Sequence, residues 1–236
     1  LLLALAAFFA FTLIFTYVRG ALLALAVGLF LFLFLALIFL RQTHKKLAFA
    51  GFIIILLGVI SFASIFAAKD TDFVKERHFL SRIAELAEVS ESVSANERLL
   101  NWNIAFKAFG EKSVFGYGPE NYGAAFNKYY DYRIAKNESW FDRPHNQALD
   151  TLATGGMIVF LAYLFWLGAA AFLIFRISKE RKLLAFILAG TFLAYFVQSL
   201  FLFDTLAVYL GLFPFLAYLV YLNPNSKSQA ELRDSE

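Results

Sequence analysis

The chain has 236 residues, 61% of them hydrophobic and 17% charged, with a net charge of +3 and a mean hydropathy of +0.66. That is more apolar surface than a soluble core of this size can hide, so composition excludes a water-soluble globular domain and points to a membrane protein. The sequence contains no cysteine, which excludes disulfides, thiolate chemistry and Cys-built zinc sites.

Six uncharged runs follow one another at residues 1–18, 21–40, 47–68, 151–175, 183–203 and 205–222. A bilayer core of about 30 Å takes about 20 helical residues, so four runs are comfortably long and the first and last are marginal. Lipid offers no partner for backbone polar groups, which makes these runs helices; the short alternating segments of a β-barrel are not present. The expected fold is an all-α polytopic membrane protein with about six transmembrane helices and a large helical outer loop of periplasmic type. Spans one to three occupy residues 1–68, the outer loop 69–146, spans four to six 147–222, and a polar cytoplasmic tail 223–236. Leu1 already lies in a hydrophobic run, with no initiating Met and no basic flank ahead of it. The chain is therefore expected to be a fragment that lacks earlier spans, a signal peptide being the competing reading of the first run.

Orientation follows from the short connections. Arg41, Lys45 and Lys46 fill one, and Arg176, Lys179, Arg181 and Lys182 another, whereas the opposite side carries Arg19 and Asp204. The two basic connections are assigned to the cytoplasm, which puts the long loop outside. That loop holds 11 Lys or Arg and 12 Asp or Glu between Lys69 and Pro144, so the net positive charge is a topology signal and implies no nucleic-acid partner.

Within the outer loop, Phe73, Leu80, Ala84 and Ala87 recur at helical spacing with Ile83 beside them, as in a helix lying in the membrane interface. Ser94 and Glu97 form a capping-box signature for a second helix that runs to about Gly110. At 100° per residue Arg98 shares a broad face with Leu99, Trp102, Ala105, Phe106 and Phe109. It either snorkels to water or binds an anion with its forked donors. Gly116-Tyr117-Gly118-Pro119 is a tight turn. Asn121 stands where a dinucleotide fingerprint needs its third glycine, and no strand precedes it, so the turn brings backbone close to a ligand or to a neighbouring helix instead. Tyr129, Tyr130, Tyr132 and Trp140 suit an interfacial belt or sugar stacking. Asn137-Glu138-Ser139 matches the loose glycosylation pattern.

Of the three histidines, His44 sits in a basic connection, His78 in the polar part of the interfacial helix, and His145 at the outer mouth of a span. His145 is open to two roles, helix capping or general base. Asp70-Thr71-Asp72 has the spacing of paired acids that hold a divalent cation, although it follows a span end and has no further ligand in sequence.

With Arg19-Gly20 opening a span, Arg98, Leu99 and Trp102 on one helix, the glycine turn followed by Asn121-Tyr122, and His145-Asn146 opening the next span, the chain resembles the O-antigen ligase and Wzy polymerase family of bacterial polytopic glycan transferases. The resemblance runs from about Tyr17 to Phe175 and corresponds to a C-terminal half. Val18 departs from the small hydroxyl residue common before the Arg-Gly pair. The resemblance implies inverting transfer of a glycan from a polyprenyl (undecaprenyl) diphosphate carrier to a glycan, lipid or protein acceptor, at the outer face of the cytoplasmic membrane, in cell-envelope polysaccharide biosynthesis such as that of lipopolysaccharide. It implies His145 and Arg98 as catalytic residues, Arg19, Arg98, Tyr117, Asn121 and Asn146 as substrate-binding residues, membrane lipid as surroundings, and action without a metal or other cofactor. Two other classes remain: a transporter or flippase for a lipid-linked or polar solute, which usually places ionisable groups in broken helices near the midplane, and a non-catalytic envelope scaffold.

Overall fold

The computed structural model describes residues 4, 8–9, 11–13, 18–43, 45–84, 93–136 and 140–223. Among them the secondary structure is helical throughout: α1 (Arg19–Phe39), α2 (Lys45–Ala67), α3 (Asp72–Lys75), α4 (His78–Ala84), α5 (Val93–Glu111), α6 (Tyr122–Lys128), a 3₁₀ turn (Tyr132–Lys136), α7 (Gln147–Ser178), α8 (Lys182–Ser199) and α9 (Leu206–Leu222). The stretches Gly20–Phe39, Ala48–Ala67, Gln147–Ser178 and Lys182–Ser199 are long and apolar enough to cross a membrane, and Leu206–Leu222 is a shorter apolar helix. The chain is thus a polytopic α-helical membrane protein. Most of the first run, the tail beyond Asn223, His44, Ala87 and the Asn137-Glu138-Ser139 pattern lie outside the described residues, as do the side chains of Arg19, His78 and Ser94.

Lipid supplies no hydrophobic drive between apolar helices, so helices pack where small residues let backbones meet. Helices α1 and α8 do so at Gly28 and Gly190. A Cβ on Gly28 would lie 2.4 Å from the Gly190 carbonyl oxygen, and one on Gly190 would lie 2.6 Å from that of Gly28. Toward one end of this pair, Leu40 and Thr43 line a shallow depression together with Lys179, Glu180, Arg181 and Lys182, which brings the two basic connections to the same side. At the other end Gly20 abuts Phe201, whose Cβ would be 3.1 Å from a Cβ on the glycine.

The expected interfacial helix is two short ones, α3 and α4, instead of one. Arg77 lies between them, its guanidinium donating to the Phe73 carbonyl (3.1 Å) and lying over the Phe73 ring (3.7 Å), so the last carbonyls of α3 are satisfied without continuing the helix. Helix α5 matches its expected extent, but its buried face is centred on Glu97, Asn101, Ile104, Ala105 and Ala108, while Leu99 and Phe106 are exposed. Arg98 therefore sits on the flank of the packed face.

Helix α7 differs most from its sequence pattern. Gly156 has φ 66 and ψ −166, a non-helical break. A chain of contacts shows how far the break bends the segment. Trp166 packs against Tyr195 (ring centroids 5.8 Å), Tyr195 donates to the Asp204 carboxylate (2.8 Å), and the Asp204 N–H donates to Gln147 Oε1 (2.7 Å). About 28 Å of straight helix would separate Gln147 from Trp166, a distance these links approach only when every one is fully extended. Gly156 thus divides the segment into a short helix before it and a longer one after it. Leu149, Leu152 and Ala153 from the short helix pack into one core with Ile104, Tyr122, Phe126 and Phe141. Residues 157–178 then measure about 33 Å, one bilayer thickness.

The Gly116-Tyr117-Gly118 turn docks on this break. The N–H groups of Tyr117 and Gly118 donate to the carbonyls of Ala153 (2.9 Å) and Thr154 (2.8 Å), and the Met157 N–H donates to the Ser113 carbonyl (2.8 Å). A Cβ on Gly116 would lie 2.4 Å from the Thr154 carbonyl carbon and oxygen, and one on Gly156 would lie 2.3 Å from the Val114 carbonyl oxygen. The turn's close approach is to a helix backbone. Gly156→Ala combines that overlap with a backbone conformation open essentially to glycine alone, and should cost about 2–4 kcal/mol. Gly168→Ala, on the same helix with nothing within 4 Å, should be near neutral; thermal unfolding of both purified variants in one detergent compares them.

Candidate active site at the mouth of the broken helix

The candidate site is built from the middle of α5, the segment leading into α7, and the α8–α9 connection. Asn101 and Trp102 project from α5 and hold the incoming chain. Asn101 Nδ2 donates to the Arg143 carbonyl (3.0 Å), and Trp102 Nε1 donates to that of Pro144 (3.0 Å). Asn101 is itself fixed by Tyr122, whose hydroxyl lies 2.5 Å from Asn101 Oδ1 and 2.9 Å from its carbonyl oxygen. Both residues are fully buried. Burial, and after it the charge of Asp150, push the Tyr122 hydroxyl up, so it stays protonated as a donor.

Two residues later the backbone turns through a conformation that few side chains adopt. His145 has φ 52, which costs an L-residue on the order of 1–2 kcal/mol. Its imidazole stacks on Phe203 (centroids 5.7 Å, interplanar 23°) and meets the edge of Phe141 (5.3 Å). Asn146 then caps the helix, its side chain accepting from the Leu149 N–H (3.1 Å). Gln147 is tied to Asp204 as described. The histidine is thus gripped from two elements, and the helix cap falls to Asn146 instead.

Arg143 lies beside it. Its guanidinium donates through Nη1 to Asp150 Oδ2 (2.9 Å), pairs through Nη2 with Glu120, and stands over the Phe203 ring (4.8 Å). The Asp150 side chain is only 6% exposed, against 77% for Glu120. Phe203 therefore carries both the guanidinium and the imidazole. Burial of a carboxylate at the head of α7 requires a paired cation, and Arg143 supplies it.

Of the residues expected from sequence, Arg98 lies on α5 one helical turn before Asn101 and Trp102 and is half-buried. Arg19 opens α1 beside the α8–α9 connection, through Gly20 and Phe201. Asn121 is exposed and follows Glu120 directly. Tyr117 is elsewhere. Its hydroxyl donates to Glu111 Oε2 (2.5 Å), about 15 Å further along α5 than Asn101. The paired acids Asp70 and Asp72 stand near no other convergent acid or histidine: among the described residues no three such side chains form a metal-ligating group, and Asp70 faces Lys75 at 3.9 Å. The aromatic run is partly spent on packing, with Tyr129 donating to Glu111 (2.5 Å) and Tyr130 edge-on to Phe126, while Tyr132 stays 81% exposed.

Sequence reasoning passed over Arg143, Glu120, Asp150 and Phe203. Asp150 had a signal, an acid between the His145-Asn146 pair and a long apolar run, which starting the uncharged run at Thr151 left aside. Phe203 had none.

A family model described as O-antigen ligase matches residues 4–164. The chain belongs to the O-antigen ligase family. No curated protein and no solved structure matches it. Membership gives it a glycan-transfer role in polysaccharide biosynthesis as a membrane enzyme of the glycosyltransferase type, with a lipid-linked glycan and an acceptor as its partners in general. Phe203 and Asp204, which contact His145 and Gln147, lie past the matched residues of this O-antigen ligase family member.

At the far end of α5, Glu111 gathers Lys128 (2.6 Å), Tyr117 and Tyr129. Hydrogen bonds from Lys128, then Tyr117 and Tyr129, pull its carboxyl down to about 2. Because the folded value lies below the unfolded one, its contribution is complete above about pH 4.5 and fades as pH falls toward about 2. The melting temperature should drop across that window. The part of the drop due to this cluster should shrink in high salt, since the group is exposed, and should vanish in Glu111→Gln.

Proposed function

We propose that the chain transfers a glycan from a polyprenyl diphosphate carrier to an acceptor hydroxyl at the outer face of the cytoplasmic membrane, with inversion and without a catalytic metal. The observation that supports this above others is His145: a histidine held in the left-handed region (φ 52) and clamped by the rings of Phe141 and Phe203, the second of which also carries the Arg143 guanidinium. Strained residues persist where their surroundings over-determine them, and such places are commonly functional sites.

In this reading His145 accepts the proton of the acceptor hydroxyl while the acceptor oxygen bonds to the anomeric carbon. The bond from that carbon to the diphosphate oxygen breaks, and its electron pair leaves on the lipid diphosphate. An imidazole, with an ordinary pKa of about 6.5, suits the base. Arg98 and Arg19 take up the charge that develops on the leaving group. Asn121 contacts the sugar, and Asn146 sets the start of the helix that presents His145. Tyr117 acts only through the turn it anchors.

The broken α7 and the buried Asp150 favour a second reading, movement of a lipid-linked solute, because discontinuous helices with ionisable groups line transport paths. The two readings differ in product: a transporter forms no new glycosidic bond.

Purified protein supplied with polyprenyl diphosphate-linked sugar and candidate acceptors tests the proposal. His145→Ala should lose on the order of 10²-fold or more in turnover while still binding donor, and wild-type activity should withstand a strong chelator. Unchanged turnover in His145→Ala would falsify the general-base role.

Topology is checked separately. The background lacks cysteine, and both Asn127 and Thr43 are exposed. In intact cells with a permeabilised outer membrane, Asn127→Cys should react with an impermeant thiol reagent and Thr43→Cys should not; the reverse pattern would put the site in the cytoplasm.

A further inference from the structure

Arg143 faces two carboxylates that differ sharply in burial. Asp150 belongs to the folded head of α7, its side chain 6% exposed, while Glu120 sits on the loop before α6 with its side chain 77% exposed. The two contacts use different nitrogens, Nη1 for Asp150 and Nη2 for Glu120. Removing Asp150 from the arginine would leave a buried charge without its cation, which is strongly unfavourable. Releasing Glu120 costs little, because an exposed ion pair is held by a screened attraction and opposed by side-chain entropy. Glu120 also holds φ 60, a conformation unfavourable for an L-residue, so the loop keeps the carboxylate at Arg143 against a local backbone preference. The guanidinium and the imidazole of His145 both contact the Phe203 ring.

We propose that Arg143 is an anion subsite for a phosphoryl oxyanion, and that Glu120 is a placeholder carboxylate that the oxyanion displaces. Asp150 fixes the inner edge of the guanidinium, and Phe203 supports its face. The outer edge is the part that exchanges. Forked donors recognise a phosphoryl group as they do a carboxylate, so the two anions compete for one position. The proposal rests on the transferase reading for its natural ligand, the diphosphate of a lipid carrier. Its chemistry extends to any accessible diphosphate.

The test measures equilibrium binding of three probes to the full chain in detergent: a polyprenyl diphosphate, the corresponding polyprenol, and inorganic diphosphate. Glu120→Gln removes the competing charge and leaves the Arg143 to Asp150 pair in place. It should tighten both diphosphates roughly two- to fivefold, the scale of an exposed ion pair, and leave the polyprenol unchanged. Arg143→Met made together with Asp150→Leu removes the buried pair as a unit, which a fold commonly tolerates. This double variant should weaken both diphosphates about tenfold or more, and adding Glu120→Gln to it should have no further effect.

The subsite is overturned if Glu120→Gln weakens or leaves unchanged the binding of both anions, if it tightens the polyprenol equally, or if its effect persists without Arg143. Failure of the transferase reading has a different signature. If inorganic diphosphate shows the full Glu120 and Arg143 dependence while the lipid diphosphate does not bind, the anion subsite stands and the proposed donor falls.

Discussion

The break in α7 at Gly156 is the constraint on which the rest of the structure depends. Interrupting a helix at the edge of a bilayer frees backbone carbonyls and N–H groups where water is scarce, and each one left unpaired costs several kcal/mol. Here they are met by the 113–118 turn, which pairs with Ala153, Thr154 and Met157 in short backbone hydrogen bonds. Contact at that range leaves no room for a Cβ on Gly116 or Gly156. One set of hydrogen bonds therefore stabilises the break and joins the 113–118 turn to α7.

That geometry decides where the chemistry can lie. A continuous α7 would carry Gln147 and His145 far beyond the ends of α1 and α8. Folded back, the head of the helix reaches the α8–α9 connection, where Asp204 holds Gln147 and Phe203 supports both His145 and Arg143. Asn101, itself fixed by Tyr122, and Trp102 grip the same segment by the carbonyls of Arg143 and Pro144. The histidine is held by a frame assembled from four stretches of chain. Binding residues held on rigid elements keep their geometry without reorganising when charge develops, which is what electrostatic stabilisation requires. The contrast between buried Asp150 and exposed Glu120 divides Arg143 into a fixed edge and an exchangeable one.

Much of this architecture was legible in the chain. Uninterrupted apolar runs identify spans because lipid leaves the backbone no alternative to a helix, and the basic residues at Arg41, Lys45, Lys46 and Lys179 to Lys182 mark one side of the membrane. The extent of α5 followed from the capping-box signature at Ser94 and Glu97. Its buried face did not, since Asn101 and Glu97 are buried and hydrophobicity cannot reveal polar residues that are buried because they have partners. Likewise α3 and α4 share one apolar period, and nothing in that period shows that Arg77 ends the first of them.

The sequence by itself determined the membrane class, the helical content and the large loop between apolar helices, and it offered Arg98, His145 and the turn at Gly116 and Gly118 as candidates. These depend on composition, period and spacing, which are properties of neighbours along the chain. Only the tertiary structure decided that α7 is two helices, that Tyr117 lies away from His145, that Asn146 takes the cap, and that Phe203 supplies the floor beneath Arg143. Those outcomes rest on contacts between residues tens of positions apart, such as Asn101 with Arg143 and Gln147 with Asp204. A local pattern carries no record of them, because each partner's environment is created only when the chain folds.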